Sequence, residues 1–95
     1  MVSLIEKNQL DKFLKDNPSW ILENKTIKKE FIFDNFVDAF GFISKVALLS
    51  EKMDHHPNWQ NTYNNVKIEL TTHDIDGVTI NDINLAESID KLINS

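Results

Sequence analysis

Val66, Ile68 and Leu70 alternate with Lys67, Glu69 and Thr71, a period of two that predicts a strand over 66–72 with one buried and one polar face. By parity His73 continues the polar face. A period near 3.6 marks three other stretches. Leu4, Ile5, Leu10, Phe13 and Leu14 recur at helical spacing, Ser3 and Glu6 form a capping-box pair that predicts a helix starting there, and Asp16-Asn17-Pro18 closes it. Behind Asp34 as N-cap, Phe36, Val37, Phe40, Ile43, Val46, Ala47 and Leu49 predict a long second helix, with Phe42 and Leu48 widening its apolar arc. Thr79 as N-cap, with Asp82 in the first turn, opens a last helix whose apolar side is Ile83, Leu85, Ala86, Ile89, Leu92 and Ile93.

Between these helices lie two pairs of extended segments. Trp20–Glu23 and Thr26–Phe33 flank Asn24-Lys25, which predicts a hairpin with a two-residue turn, although Asn-Lys suits a primed turn less well than Asn-Gly. After Pro57 the chain is expected to run extended from Trp59 to Tyr63, turn at Asn64-Asn65 and return as the alternating strand; Asp76-Gly77 supplies the next turn. The order α-β-β-α-β-β-α implies an α+β domain of two layers, a four-stranded antiparallel sheet with helices packed on one face, spanning 1–95 as one domain. Gly41, in mid-helix where glycine is up to ~1 kcal/mol worse than alanine, marks either a close backbone approach or simple tolerance. The second helix either lies only against its own sheet or adds a subunit contact.

Composition narrows the function without naming it. A chain of 95 residues buries a modest core, so association with further copies would add burial. The net charge of -5, with no basic run, argues against a nucleic-acid surface. There is no cysteine for a disulfide or thiolate site, no apolar run of ~18 residues to span a membrane, and no signal-peptide order in Met1–Lys7, so a cytoplasmic protein is expected.

The chemistry-bearing residues cluster between positions 51 and 82. All three histidines, His55, His56 and His73, fall there, with Glu51 and Asp54 just before the first pair and Pro57 just after it. Glu51 and His55 are spaced to share a helix face, while His56, preceding proline, is biased out of the helical region, so the two rings are expected to serve different ends. Adjacent histidines seldom turn both rings toward one ion, so no metal is expected. Histidine is either acid or base near neutral pH, and Glu51 with the helix's negative end would favour an imidazolium at His55. Taken singly, Trp59 and Tyr63 read as packing aromatics and Asp82 as a first-turn cap.

Glu51, His55-His56-Pro57, Trp59, Tyr63, His73 in its Thr71-Thr72-His73-Asp74 context, and Asp82 together resemble the signature of the pterin-4a-carbinolamine dehydratases, and Trp20 and Phe36–Ala47 extend the resemblance over nearly the whole chain. The resemblance implies the same α+β fold and a hydro-lyase, free of cofactor, that dehydrates a 4a-hydroxy-tetrahydropterin to the quinonoid dihydropterin and so recycles the coenzyme of aromatic amino-acid hydroxylases. It implies catalytic roles for His55, His73 and Glu51, with His55 as proton donor and His73 as base or the reverse, and substrate-binding roles for His56, Asp54, Trp59 and Asp82. It also implies a homodimer or homotetramer, with a pterin as the small-molecule partner. Two positions depart from the family pattern. Asn81 stands where animal members often carry a basic residue, and Gln60 replaces an apolar one. A non-catalytic oligomeric scaffold, or a partner-binding protein keeping the fold, is the alternative.

Overall fold

The computed structural model describes residues 2–94. Helix α1 (Lys7–Asp16) leads into strands β1 (Ile21–Glu23) and β2 (Thr26–Ile32), helix α2 (Phe36–Met53), strands β3 (Asn58–Thr62) and β4 (Asn65–Leu70), and helix α3 (Ile80–Asn94). The strands form one antiparallel sheet in the order β1-β2-β4-β3, giving the expected α+β architecture. The alternation in β4 sets the layers. Val66, Ile68 and Leu70 are buried, and their cross-strand partners Phe31 and Ile27 on β2 are buried with them. Lys67 and Glu69 oppose Glu30 and Lys28 on the uncovered face. Above the covered face, Phe13, Trp20, Phe31 and Phe42 form a run of ring contacts with centroids 6.5, 6.3 and 4.8 Å apart, joining α1, the sheet and α2. Asp90 of α3 takes the Trp20 indole N–H at 2.9 Å and the Lys29 ammonium at 2.8 Å, so the polar groups at the edge of this core are paired. No helix among the described residues is long and apolar enough to cross a membrane.

The hairpin turns at Asn24-Lys25 as its spacing requires. Both residues adopt positive φ, 52° and 63°, the geometry of a primed turn, even though neither is glycine. Elsewhere several boundaries move. The chain before α1 is extended: Leu4 bridges Thr79 and the Ile5 N–H donates to the Val78 carbonyl at 2.9 Å, so the helix begins at Lys7 and the Ser3–Glu6 capping box does not form. Pairing with the segment before α3 satisfies the backbone that a longer helix would otherwise have used. Gly77 accommodates this approach, since an added Cβ would lie 2.5 Å from Leu4 Cδ2, while the positive φ of that turn falls on Asp76. Asn35 caps α2 in place of Asp34, its side chain accepting the Asp38 N–H at 2.8 Å. The β3–β4 turn is Tyr63-Asn64, because Asn65 is already paired with Thr62 and Ile32, and the Asn61 amide holds the turn through the Tyr63 and Asn65 carbonyls.

Helix α2 buries a different stripe from the one expected. Ala39, Phe42, Val46 and Ser50 face the core, with Ile43, Leu49 and Met53 beside them, whereas Phe36, Val37, Phe40 and Leu48 are exposed. Phe42, expected only to widen the arc, is its centre, in contact with Phe31 and Phe33. A Cβ at Gly41 would meet nothing within 4 Å, so no close approach among the described residues explains that glycine.

Candidate active site

The end of α2 decides where the histidines go. Asp54 takes the left-handed conformation (φ 51°, ψ 43°), its N–H bonds the Glu51 carbonyl, and the His55 N–H reaches back to the Ser50 carbonyl at 3.0 Å. This is a Schellman ending with aspartate in the place usually held by glycine. It closes the helix before His55, so Glu51 and His55 do not share a helix face as their spacing suggests. The two rings diverge instead. His56 turns out to solvent, where its Nε2 lies 2.9 Å from Glu51 Oε1. His55 turns inward, its Nε2 lying 2.6 Å from Asp82 Oδ1, with 12% of its side chain exposed and none of the aspartate's.

Asp82 is therefore more than a first-turn carboxylate. Its Oδ2 accepts the Thr79 N–H at 2.8 Å while the Thr79 Oγ1 accepts the Asn81 N–H at 3.2 Å, a reciprocal cap that starts α3. The same Oδ2 accepts the Thr72 hydroxyl at 2.8 Å, and the Thr72 and Thr79 hydroxyl oxygens are 2.8 Å apart. Oδ1 remains for His55. Asp82, expected among the substrate-binding residues, is fully buried, so it can reach a ligand only through the His55 ring. No fully buried side-chain nitrogen or oxygen among the described residues lacks a partner, so His55 Nδ1, which has none in the protein, opens to solvent.

His55 borders a shallow cleft of ≈ 240 Å³ lined by Asp54, His55, His56, Thr71, Thr72, His73 and Asp74. Four of the expected site residues thus share one wall, contributed by the α2 ending and by the turn after β4. His73 lies in that turn, exposed, beyond the end of the strand whose polar face it was expected to continue. Glu51, Trp59 and Asp82 are not in the wall. Trp59, opposite Ile68 at the edge strand β3, is 39% exposed. Thr71, Thr72 and Asp74 also line the cleft, although in the sequence they figure only as the setting of His73; the bonds of Thr72 depend on how α3 docks, which spacing does not encode. A larger groove of ≈ 460 Å³ on the uncovered sheet face is walled largely by lysines and glutamates and holds no histidine. No group of three or more His, Asp or Glu among the described residues is disposed to hold a metal ion. On the surface, the Glu23 carboxyl is held below its ordinary range by its hydrogen bond from Lys28.

A cleft lined by His55, His56 and His73, with the His55 ring anchored by a buried carboxylate, brings together groups able to take up and release protons. The profile of the family described as pterin 4 alpha carbinolamine dehydratase matches residues 3–92. A protein of Prochlorococcus marinus (strain NATL2A), provisionally named a pterin-4-alpha-carbinolamine dehydratase, is 77% identical over the full length of both chains. One from Synechococcus sp. (strain WH7803), with the same provisional name, is 46% identical over 97% of this chain and 99% of its own. The crystal structure of a transcriptional coactivator/pterin dehydratase from Brucella melitensis superposes with a TM-score of 0.87 at 35% identity, covering 94% of this chain and 97% of that one. With sheet order, helix placement and sequence in agreement along its whole length, the chain belongs to the pterin 4 alpha carbinolamine dehydratase family.

Proposed function

We propose that the protein is a cytoplasmic hydro-lyase that dehydrates 4a-hydroxy-tetrahydropterin to quinonoid dihydropterin and thereby recycles the pterin coenzyme of aromatic amino-acid hydroxylases. The observation that carries this reading is the contact between His55 Nε2 and the buried Asp82, which leaves the other ring nitrogen without a protein partner in a residue that lines the same cleft as His73. In the elimination, the C4a–O bond breaks with its electron pair going to oxygen, which takes a proton from His55 and leaves as water. His73 removes the proton from the ring nitrogen, and the N–H electron pair becomes the new C=N π bond. Asp82 stabilises the His55 imidazolium before transfer and keeps the ring in place after it. His56, Asp54 and Trp59 bind and orient the pterin, and Glu51 acts through His56, the ring it touches. No step requires a metal or an organic cofactor.

The active form is proposed to be a homodimer or homotetramer. Support comes from α2, whose Phe36, Val37, Phe40 and Leu48 are 47%, 76%, 56% and 73% exposed, an apolar surface that a second copy of the chain would cover. The coactivator role in the name of the Brucella relative fits the same surface as a second, partner-binding function. The deciding experiment is a spectroscopic assay of freshly generated 4a-hydroxy-tetrahydropterin with and without the protein. Accelerated dehydration, insensitive to chelators, is expected. Activity that vanished with a chelator and returned with zinc would overturn the acid–base account.

A further inference from the structure

The hydrogen bonds around Asp82 have one consistent direction, and it reaches His55. A carboxylate accepts and cannot donate, so the Thr72 hydroxyl proton must point at Oδ2. The Thr72 oxygen is then free to accept, and the 2.8 Å contact with Thr79 is a bond donated by the Thr79 hydroxyl, whose own oxygen accepts the Asn81 N–H. The chain of donors runs from the first turn of α3 through Thr79 and Thr72 into Asp82. With Oδ2 held by Thr72 and by the Thr79 N–H, the carboxylate cannot rotate, and Oδ1 is fixed 2.6 Å from His55 Nε2. That nitrogen must carry a proton whatever the charge of the ring.

We infer that Thr72 is a positioning residue, which by locking the Asp82 carboxylate holds neutral His55 in its Nε2–H tautomer and makes Nδ1 the nitrogen that exchanges protons with substrate. Thr72 also immediately precedes His73. Two hydrogen bonds, His55 to Asp82 and Asp82 to Thr72, therefore tie together the segments bearing both histidines of the proposed reaction, across 18 positions of sequence. The inference rests on the acid–base reading only for its effect on turnover; the tautomer belongs to the free protein.

The test combines nitrogen NMR of the ¹⁵N-histidine-labelled protein with steady-state kinetics of Thr72→Val and Thr72→Ser. In the wild-type protein, with the ring neutral, His55 should show a protonated Nε2 and an unprotonated Nδ1. Thr72→Val, which keeps shape and loses the donor, should let the Asp82 carboxylate turn away from the ring, convert His55, released from that acceptor, to a mixture of tautomers, and lower kcat about tenfold with KM within twofold. Thr72→Ser should restore both the spectrum and kcat to within twofold. A wild-type His55 protonated at Nδ1 would overturn the inference, as would a Thr72→Val protein with wild-type spectrum and kcat. Should the dehydration assay itself fail, the NMR comparison still decides whether Thr72 sets the tautomer, so the two readings fail separately.

Discussion

Replacing Asp82 by asparagine separates the charge of this carboxylate from its shape. Asparagine fits the same volume, and its carbonyl oxygen can take the Oδ2 position, keeping the Thr79 N–H and the Thr72 hydroxyl as donors. The amide nitrogen then replaces Oδ1 opposite His55 Nε2. An amide nitrogen only donates, so the imidazole must present a lone pair there and carry its proton on Nδ1, the opposite tautomer. On stability, two hydrogen bonds to a charged acceptor become bonds to a neutral one, a loss of about 1 kcal/mol each and about 2 kcal/mol together. For a domain of 95 residues that lowers Tm by roughly 8–16 °C, read from thermal melts at fixed protein concentration because assembly raises Tm. On catalysis, a correctly placed general acid contributes ~10²–10⁴, and because the ring stays in place while its proton moves, kcat should fall by about 10². Asp82→Ala, which removes the helix cap as well, should be less stable still. A folded Asp82→Asn protein with kcat within twofold of wild type would refute the chain of reasoning from buried carboxylate to ring tautomer to turnover.

Other consequences follow from the same geometry. His55→Ala and His73→Ala should each lower kcat by ~10–10³ without unfolding, and the double variant should be less than multiplicatively worse if both protons move in one step; wild-type turnover in the double variant would make the rings structural. Phe40→Glu, placed on the exposed face of α2, should leave the fold intact and shift the assembly toward monomer by light scattering, and a wild-type protein already monomeric at tens of micromolar would exclude the proposed interface. Lys25→Gly should raise stability by about 1 kcal/mol in chemical denaturation, since Lys25 holds φ 63° where glycine has no Cβ penalty and the Lys25–Asp76 pair it loses is exposed.

What could be read from the residues, and what could not, divides along a physical line. The β4 alternation, the Asn24-Lys25 hairpin and the Thr79–Asp82 cap are local patterns, each deciding its own structure within a few positions. Ser3–Glu6 is an equally good local pattern and it lost, because pairing of Leu4 and Ile5 with Val78 and Thr79 is a contact between segments distant in sequence that no local rule contains. The buried stripe of α2 departs from its periodicity for a related reason. Apolar residues occupy most of its circumference, so periodicity alone does not choose between Phe40 and Phe42, and the choice falls to the shape of the sheet beneath, where Phe31 and Phe33 meet Phe42. Within the site, the motif residues were visible but their pairing was not. The helix was expected to carry Glu51 and His55 on one face; the left-handed Asp54 ends it first and hands His55 to Asp82, 27 positions away.

The two histidine–carboxylate pairs that result make opposite predictions although their chemistry is the same. His56 and Glu51 meet at 2.9 Å with 58% and 82% of their side chains exposed, so water competes for both partners and the ion pair contributes little. His55 and Asp82 meet at 2.6 Å with 12% and 0% exposed, in a setting where loss of one partner leaves a buried polar group unsatisfied. Glu51→Gln should accordingly leave Tm within about 2 °C of wild type, as expected for an exposed substitution with no buried partner. It should also leave kcat within twofold and act on KM, since the amide can still accept from His56 but no longer attracts a charged ring. The comparison with Asp82→Asn is the informative one, because both changes remove one carboxylate charge beside one histidine. If Glu51→Gln instead lowered kcat by an order of magnitude with KM unchanged, the proton donor would have to be sought at His56, and the buried His55–Asp82 pair would be holding the α2 ending against α3 for the sake of the fold alone.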